Sequence, residues 1–220
     1  MNKKKIAIRV LMFLPLLMVL CVYGRLPDMV PTQWGIGGTV RYGEKIQIFL
    51  LPLLTIALAA LFPLGRKIDP RNENFQKFSE TYETLIILVL LLMTAVMGIV
   101  LSETFYPGRI PISKAIPVLI ALLFIYLGNQ TPKLRPNFFV GMKTPWALSN
   151  DLVWAKTQRL GGKLFFFGGF AMLLFAMLLP EIISIYFLLV LIVILVFVPS
   201  IMSYLWYQQE IKKDETDTNR

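Results

Sequence analysis

Six long apolar runs divide this chain, and they leave it few folds. Ile6–Tyr23, Ile46–Leu64, Leu85–Leu101, Ala115–Leu127, Leu164–Leu179 and Ile182–Tyr204 are almost free of charge. At about 1.5 Å per helical residue, most of them reach across roughly 30 Å of hydrocarbon. The fourth run is short. Extended back to Ile110 it is long enough, with Lys114 stretching its ammonium to the interface. The fifth and sixth runs meet at Pro180-Glu181, where a carboxylate in lipid would be costly, so a tight turn at the surface is expected. With 56% of its residues hydrophobic, the chain reads as an all-α integral membrane protein: a bundle of six transmembrane helices, multi-pass in the cell membrane.

The charges give this bundle an orientation. If the N-terminus is cytoplasmic, only Arg25, Arg41, Lys45, Arg109 and Lys114 of the 22 Lys and Arg residues fall outside. The other 17 fall inside, as the positive-inside rule asks. Both termini are then cytoplasmic. Losing any one span would scramble the asymmetry. The net charge of +9 is therefore read as basic cytoplasmic loops, not as a nucleic-acid footprint. The start, MNKKK followed by an apolar run, has the basic opening of a signal peptide but no small-residue cleavage site after it; it is read as an uncleaved first span.

The division that follows is a first helical hairpin at 1–65 with a structured outer loop at 24–45, and a second hairpin at 66–128. A cytoplasmic loop at 129–163 carries an interfacial helix. A third hairpin covers 164–207 and a polar tail 208–220.

Several chemistries are closed to this composition. One cysteine, Cys21, and no histidine exclude an intramolecular disulfide, His/Cys metal clusters and His-based triads. No metal or cofactor is expected, and no enzyme. No Asp or Glu lies mid-span, where proton relays and coupled transporters keep theirs. Thr94, Gly98 and Ser102 lie four apart, a small-residue pattern that lets helices approach.

Three loops remain to be read. In the first outer loop, Gly24–Lys45, Pro27 and Pro31 fix an extended or turning backbone, Gly35, Gly37 and Gly38 permit positive φ, and Trp34 can sit at the interface. The segment Arg66–Thr84 reads as a solvated helical lead into the third span, with Asp69-Pro70 as its capping signal. The loop from Asn129 to Lys163 is unlike its neighbours. Thr144-Pro145 reads as an N-cap with Pro at the first helical position, and Ser149 as the cap of a second short helix. That helix is expected to lie on the inner leaflet, with Trp146 and Trp154 at headgroup depth and basic residues attracted to anionic lipids. Lipid attraction accounts for the Trp and Lys/Arg content. It does not account for Asn129, Asn137, Gly141 or the Thr-Pro-Trp run, which imply a particular backbone shape.

Those residues carry a resemblance. GN…LRPNFFVGMKTPWALSNDLVWAKTQR resembles the signature loop of the SdpI family of integral-membrane immunity proteins. Its pattern of Gly-Asn, Asn-x-x-x-Gly-[Ile/Leu]-Arg-Thr-Pro-Trp-Thr-Leu, Val-Trp and Asn-Arg is met at Gly128, Asn129, Asn137, Gly141, Thr144, Pro145, Trp146, Leu148, Val153, Trp154 and Arg159. Met142, Lys143, Ala147 and Gln158 depart from it, and Lys143 in place of Arg gives up planar bidentate donation. LPDMVPTQW is similar to a short domain found ahead of that loop, through Leu26, Pro27, Val30, Pro31, Gln33 and Trp34. Many relatives have His where Gln33 stands here.

The resemblance implies a protein that protects its cell from a secreted, membrane-active toxic peptide. It also implies a receptor role, holding a cytoplasmic repressor protein at the membrane when toxin is present. Site residues carried over are Pro27, Pro31, Gln33 and Trp34 outside, and Asn129, Asn137, Gly141, Lys143, Thr144, Pro145, Trp146, Trp154 and Arg159 inside. Partners implied are the peptide, the repressor and anionic lipids, with no direct nucleic-acid binding. The other readings are a receptor that regulates without protecting, and a lipid-handling membrane protein or enzyme.

Overall fold

The structure is a computed structural model that describes residues 3–35 and 39–218. Gly37 and Gly38 of the outer loop lie outside the described residues. Six helices are long and apolar enough to cross a membrane, matching the six runs in the sequence. They are α1 (Lys3–Val22), α2 (Leu50–Ile68), α4 (Ser79–Phe105), α5 (Ile112–Gln130), α7 (Asp151–Leu178) and α8 (Glu181–Thr218). Two short helices, α3 (Asn72–Lys77) and α6 (Pro145–Ser149), lie in the connections. Lys114 falls in the first turn of α5, where its long side chain can reach an interface. Leu179 and Pro180 separate α7 from α8, and Glu181 opens α8, as expected of a carboxylate kept at the interface.

The loop at 24–45 carries an ordered hairpin. Met29–Trp34 (β1) and Val40–Glu44 (β2) pair as an antiparallel hairpin, with a bulge between Pro31 and Gln33. Val30, fully buried, fixes the hairpin to the bundle by packing with Val19, Leu26, Ile48 and Met97. Lys45 closes its base: its N–H donates to the Asp28 carbonyl at 2.8 Å, and its ammonium donates to the Leu26 carbonyl at 3.1 Å. The same ammonium stands 4.5 Å over the Tyr23 ring.

A second core lies toward the other end of α1 and α4. It joins Leu11, Phe75, Phe78, Tyr82, Leu90, Val153 and Trp154. The segment before the third span is thus not a solvated lead. Phe75, Phe78 and Tyr82 fall on one side at helical spacing and are buried together, with ring centroids 4.9 and 5.1 Å from Phe75. Asp69 holds the turn ahead of α3, its Oδ1 accepting from Arg71 N–H at 2.7 Å, although α3 itself opens at Arg71 without a side-chain cap; its Oδ2 is used elsewhere.

The tightest helix pair is α5 with α7, and glycines set its distance. A Cβ on Gly128 would stand 2.7 Å from the Gly162 carbonyl oxygen, and one on Gly169 would stand 2.8 Å from Ile125 N and 2.9 Å from Ala121 O. Ala121 and Gly128 face Gly162 and Gly169 at a shared spacing of seven, so two backbones meet with no side chain between them. The Thr94-Gly98-Ser102 stripe makes no such approach: a Cβ on Gly98 would meet only Met18 Cε at 3.9 Å.

These distances set an expectation for thermal unfolding in detergent. Gly169→Val pushes a branched side chain into backbone and should cost about 1–3 kcal/mol. Gly98→Ala should lie within about 0.5 kcal/mol of the parent. Equal effects at the two positions would contradict this packing.

Candidate functional site

The signature segment is a folded knot, and its polar side chains are spent on backbone. Asn137, fully buried, makes four hydrogen bonds. Its Oδ1 accepts from the N–H of Phe139 (2.9 Å) and Val140 (2.7 Å). Its Nδ2 donates to the carbonyls of Arg135 (2.8 Å) and Val140 (3.0 Å). The preceding N–H, Phe138, donates to Asp69 Oδ2 at 2.8 Å. Three consecutive amides are therefore met by two buried side chains, which settles the hydrogen-bonding demand of a segment that forms neither helix nor strand.

The next turn is held from α7. Gln158 accepts from Met142 N–H and donates to Met142 C=O, both at 3.0 Å. Gly141 lies between, at φ +105°, a region that favours glycine. A Cβ there would also stand 2.7 Å from Gln158 Oε1. Trp154 donates its indole N–H to the Leu134 carbonyl at 2.9 Å and is 1% exposed. It is a core residue of the knot and not a headgroup anchor.

Caps and clamps finish the arrangement. Thr144 Oγ1 caps α6 by accepting from Ala147 N–H at 3.1 Å, and lies 2.8 Å from Ser203 Oγ on α8. Trp146 packs edge-on against Tyr204, centroids 5.1 Å apart. Asn150, not Ser149, caps α7, accepting from Leu152 and Val153 N–H. From there α7 runs unbroken into the fifth span, so the separate interfacial helix expected over this stretch does not form. The Gly161-Gly162 pair reads like a stop, yet both glycines are buried where Met142, Pro132 and α5 press on the helix. Tertiary contact there outweighs their weak helix preference. The polar tail is likewise helical: α8 continues to Thr218, and Lys156 of α7 pairs with Glu210 at 2.9 Å.

Some participants carried no signal that sequence reading used. Arg71 donates to the Leu148 carbonyl at 2.9 Å and approaches Asp151 at 3.6 Å. Asn74 donates to the Pro136 carbonyl at 2.8 Å. With Asp69 they fasten the α2–α4 connection to the signature loop. A spacing clue did exist: Phe75, Phe78 and Tyr82 imply a buried face beside them.

Part of what is conspicuous in sequence does remain exposed. Arg135, Lys143 and Arg159 are exposed, as are Asn129 and Pro145. Phe138 and Phe139 are exposed beside them. This end of the bundle thus presents a basic and aromatic face, underlain by the knot.

The opposite end holds the hairpin candidates. Pro27 and Gln33 are exposed, Pro31 is buried and Trp34 half-buried. Trp34 helps to wall a cavity of about 610 Å³ between the hairpin, the α4–α5 turn and the start of α8. Its lining is apolar apart from few groups, notably Glu103, Ser113 and Glu181. Glu103 is buried and accepts from Gly108 N–H at 3.0 Å. The buried Trp34 Nε1 has no hydrogen-bond partner among the described residues. The two groups of candidates therefore lie at opposite ends of the bundle and share no site.

Comparison with known proteins supports the resemblance. Residues 133–203 match the SdpI/YfhL protein family, and residues 10–56 match a domain of unknown function, DUF1648. The chain is similar to the Immunity protein SdpI of Bacillus subtilis (strain 168), 22% identical over 209 residues, covering 94% of this chain and 97% of that protein. No solved structure gives a significant match. The likeness to the SdpI family read from the signature loop is thus shown, and the chain is a multi-pass membrane protein.

The knot makes its own prediction. Asn137→Ala strips partners from two N–H groups and two carbonyls and should destabilise by about 2–4 kcal/mol, since each buried group left unmet costs about 1–3. Lys143→Ala, on the exposed face, should change the unfolding midpoint little. Thermal scans in one detergent compare them; an Asn137→Ala protein as stable as Lys143→Ala would refute the knot.

Proposed function

We propose that this chain is a membrane immunity protein that meets a secreted, membrane-active toxic peptide at its hairpin end. The observation that carries this reading is the end-to-end similarity to an immunity protein, with both diagnostic segments present in one chain. The cavity behind Trp34 supports the choice of end. Its apolar walls suit hydrophobic side chains, and Glu103 and Glu181 in its lining are acidic groups suited to a cationic residue. The indole N–H of Trp34 offers a hydrogen-bond donor to a peptide carbonyl.

In this reading the positive-inside count sets the orientation, with both termini and the basic face of the knot in the cytoplasm. That face, with Arg135, Lys143 and Arg159 around Phe138 and Phe139, suits an acidic patch on a cytoplasmic repressor. Toxin and repressor would then act at opposite ends of one rigid bundle, and coupling between them requires two arrangements of that bundle.

Survival assays test the protective half. Cells that express the chain should withstand the toxic peptide secreted by the strain that carries the gene. Trp34→Ala should lower the tolerated dose by about tenfold, the scale of an aromatic contact residue, at unchanged membrane abundance. Unchanged survival with and without the chain would remove protection. Orientation is read separately, in a Cys21→Ser background: Lys143→Cys should resist a membrane-impermeant thiol reagent added to whole cells, and Arg41→Cys should react. The reverse pattern would remove the inward-signalling half.

A further inference from the structure

A second cavity, of about 800 Å³, opens among α1, α2 and α4 near the end that carries the knot. Its volume is within the roughly 300–1,000 Å³ of small-molecule sites. The sequence explains why space is left there. α2 turns Ala59, Ala60 and Pro63 toward it, small or compact side chains where its other faces carry leucine. α1 and α4 contribute Ile8, Met12 and Ile86 to the apolar part.

The rim has a different chemistry. Lys5 and Arg9, one turn apart on α1, and Arg66 and Lys67, in the last turn of α2, all line the cavity. Glu83 is the acidic residue of that lining. Arg9 and Glu83 each have a partner within the chain, and Lys5, Arg66 and Lys67 still leave an excess of positive charge beside an apolar shaft. Like charges gathered at a low-dielectric surface repel, unless an anion joins them. Cations above an apolar shaft are the complement of an anion that carries a hydrocarbon tail.

We propose that this cavity binds an anionic phospholipid, its phosphate on Lys5, Arg9, Arg66 and Lys67 and an acyl chain along Ile8, Met12 and Ile86. Neither the hairpin cavity nor the Arg135–Arg159 segment contributes a lining residue, so the site stands whether or not the immunity reading does. It is also distinct from diffuse attraction of basic loops to a charged leaflet, because it predicts one bound molecule and a defined place.

Native mass spectrometry of the detergent-purified full chain tests this with three probes: dioleoyl phosphatidylglycerol, dioleoyl phosphatidylcholine and inorganic phosphate. The expected result is one phosphatidylglycerol adduct that survives activation energies at which phosphatidylcholine is lost, and that millimolar inorganic phosphate does not displace. Arg66→Gln/Lys67→Gln should weaken the adduct at least tenfold, taking about fivefold per basic residue near a membrane surface. Lys212→Gln/Lys213→Gln, which removes the same charge from exposed positions on α8, should not weaken it. Ala60→Phe keeps every charge and fills the shaft from an exposed position; it too should abolish the adduct. Equal retention of the two lipids would overturn the proposal. So would displacement by inorganic phosphate, equal loss in both charge-removal variants, or full binding by Ala60→Phe.

Discussion

Three successive backbone N–H groups, at Phe138, Phe139 and Val140, find their partners on two buried side chains, Asp69 and Asn137. Much else in the molecule depends on this. A segment with no regular structure, placed against a bundle of greasy helices, cannot leave its amides to chance, because each one buried without a partner is expensive. Here the carbonyls are met as well, by Asn137, Asn74, Trp154 and Gln158. The donors come from α3, α7 and the loop itself, so a backbone requirement becomes a tertiary clasp. Through Thr144 and Trp146 the clasp reaches α8 as well.

The clasp explains why the two ends of the bundle differ. At the hairpin end an edge-paired ribbon and a half-buried Trp34 border an apolar cavity with acidic groups. At the knotted end a rigid loop displays arginine, lysine and phenylalanine. Between them α5 and α7 meet backbone to backbone at Gly128, Gly162 and Gly169, which favours motion of those two helices as one body. The packing of α1, α2 and α4 is looser and encloses the cation-lined cavity.

The bundle was legible because lipid imposes its own rule. Six runs almost free of charge have few alternatives, and the carboxylate of Pro180-Glu181 marks the break between α7 and α8. Thr144-Pro145 as a helix start was equally readable, since capping is local chemistry. What sequence concealed is long-range. Trp154 looked like a residue on display, because Trp favours interfaces, whereas Asn137 holds the particular backbone shape that its loop implied. Asn137 is turned inward by amides on its own loop, and Trp154 by a carbonyl 20 residues away. Asp69 looked like a local cap, and Arg71 and Asn74 like ordinary loop polarity, yet each has a partner more than 60 positions on. The expected interfacial helix fails for the same reason: Gly161 and Gly162 pack against Met142, Pro132 and α5, and α7 continues through them into the span. Gln158, a departure from the family pattern, supplies the two hydrogen bonds that hold Met142.

The central claim is that the signature segment is a structural clasp whose free outer face alone is available to partners. Hydrogen–deuterium exchange of the full chain in detergent, followed at the amides of Phe138, Phe139, Val140 and Met142, tests it most directly. The account predicts exchange as slow as that of the neighbouring α7 amides, slowed by orders of magnitude relative to an open loop. Exchange of these four amides at the rate of an unstructured loop, while α7 stays protected, would contradict it.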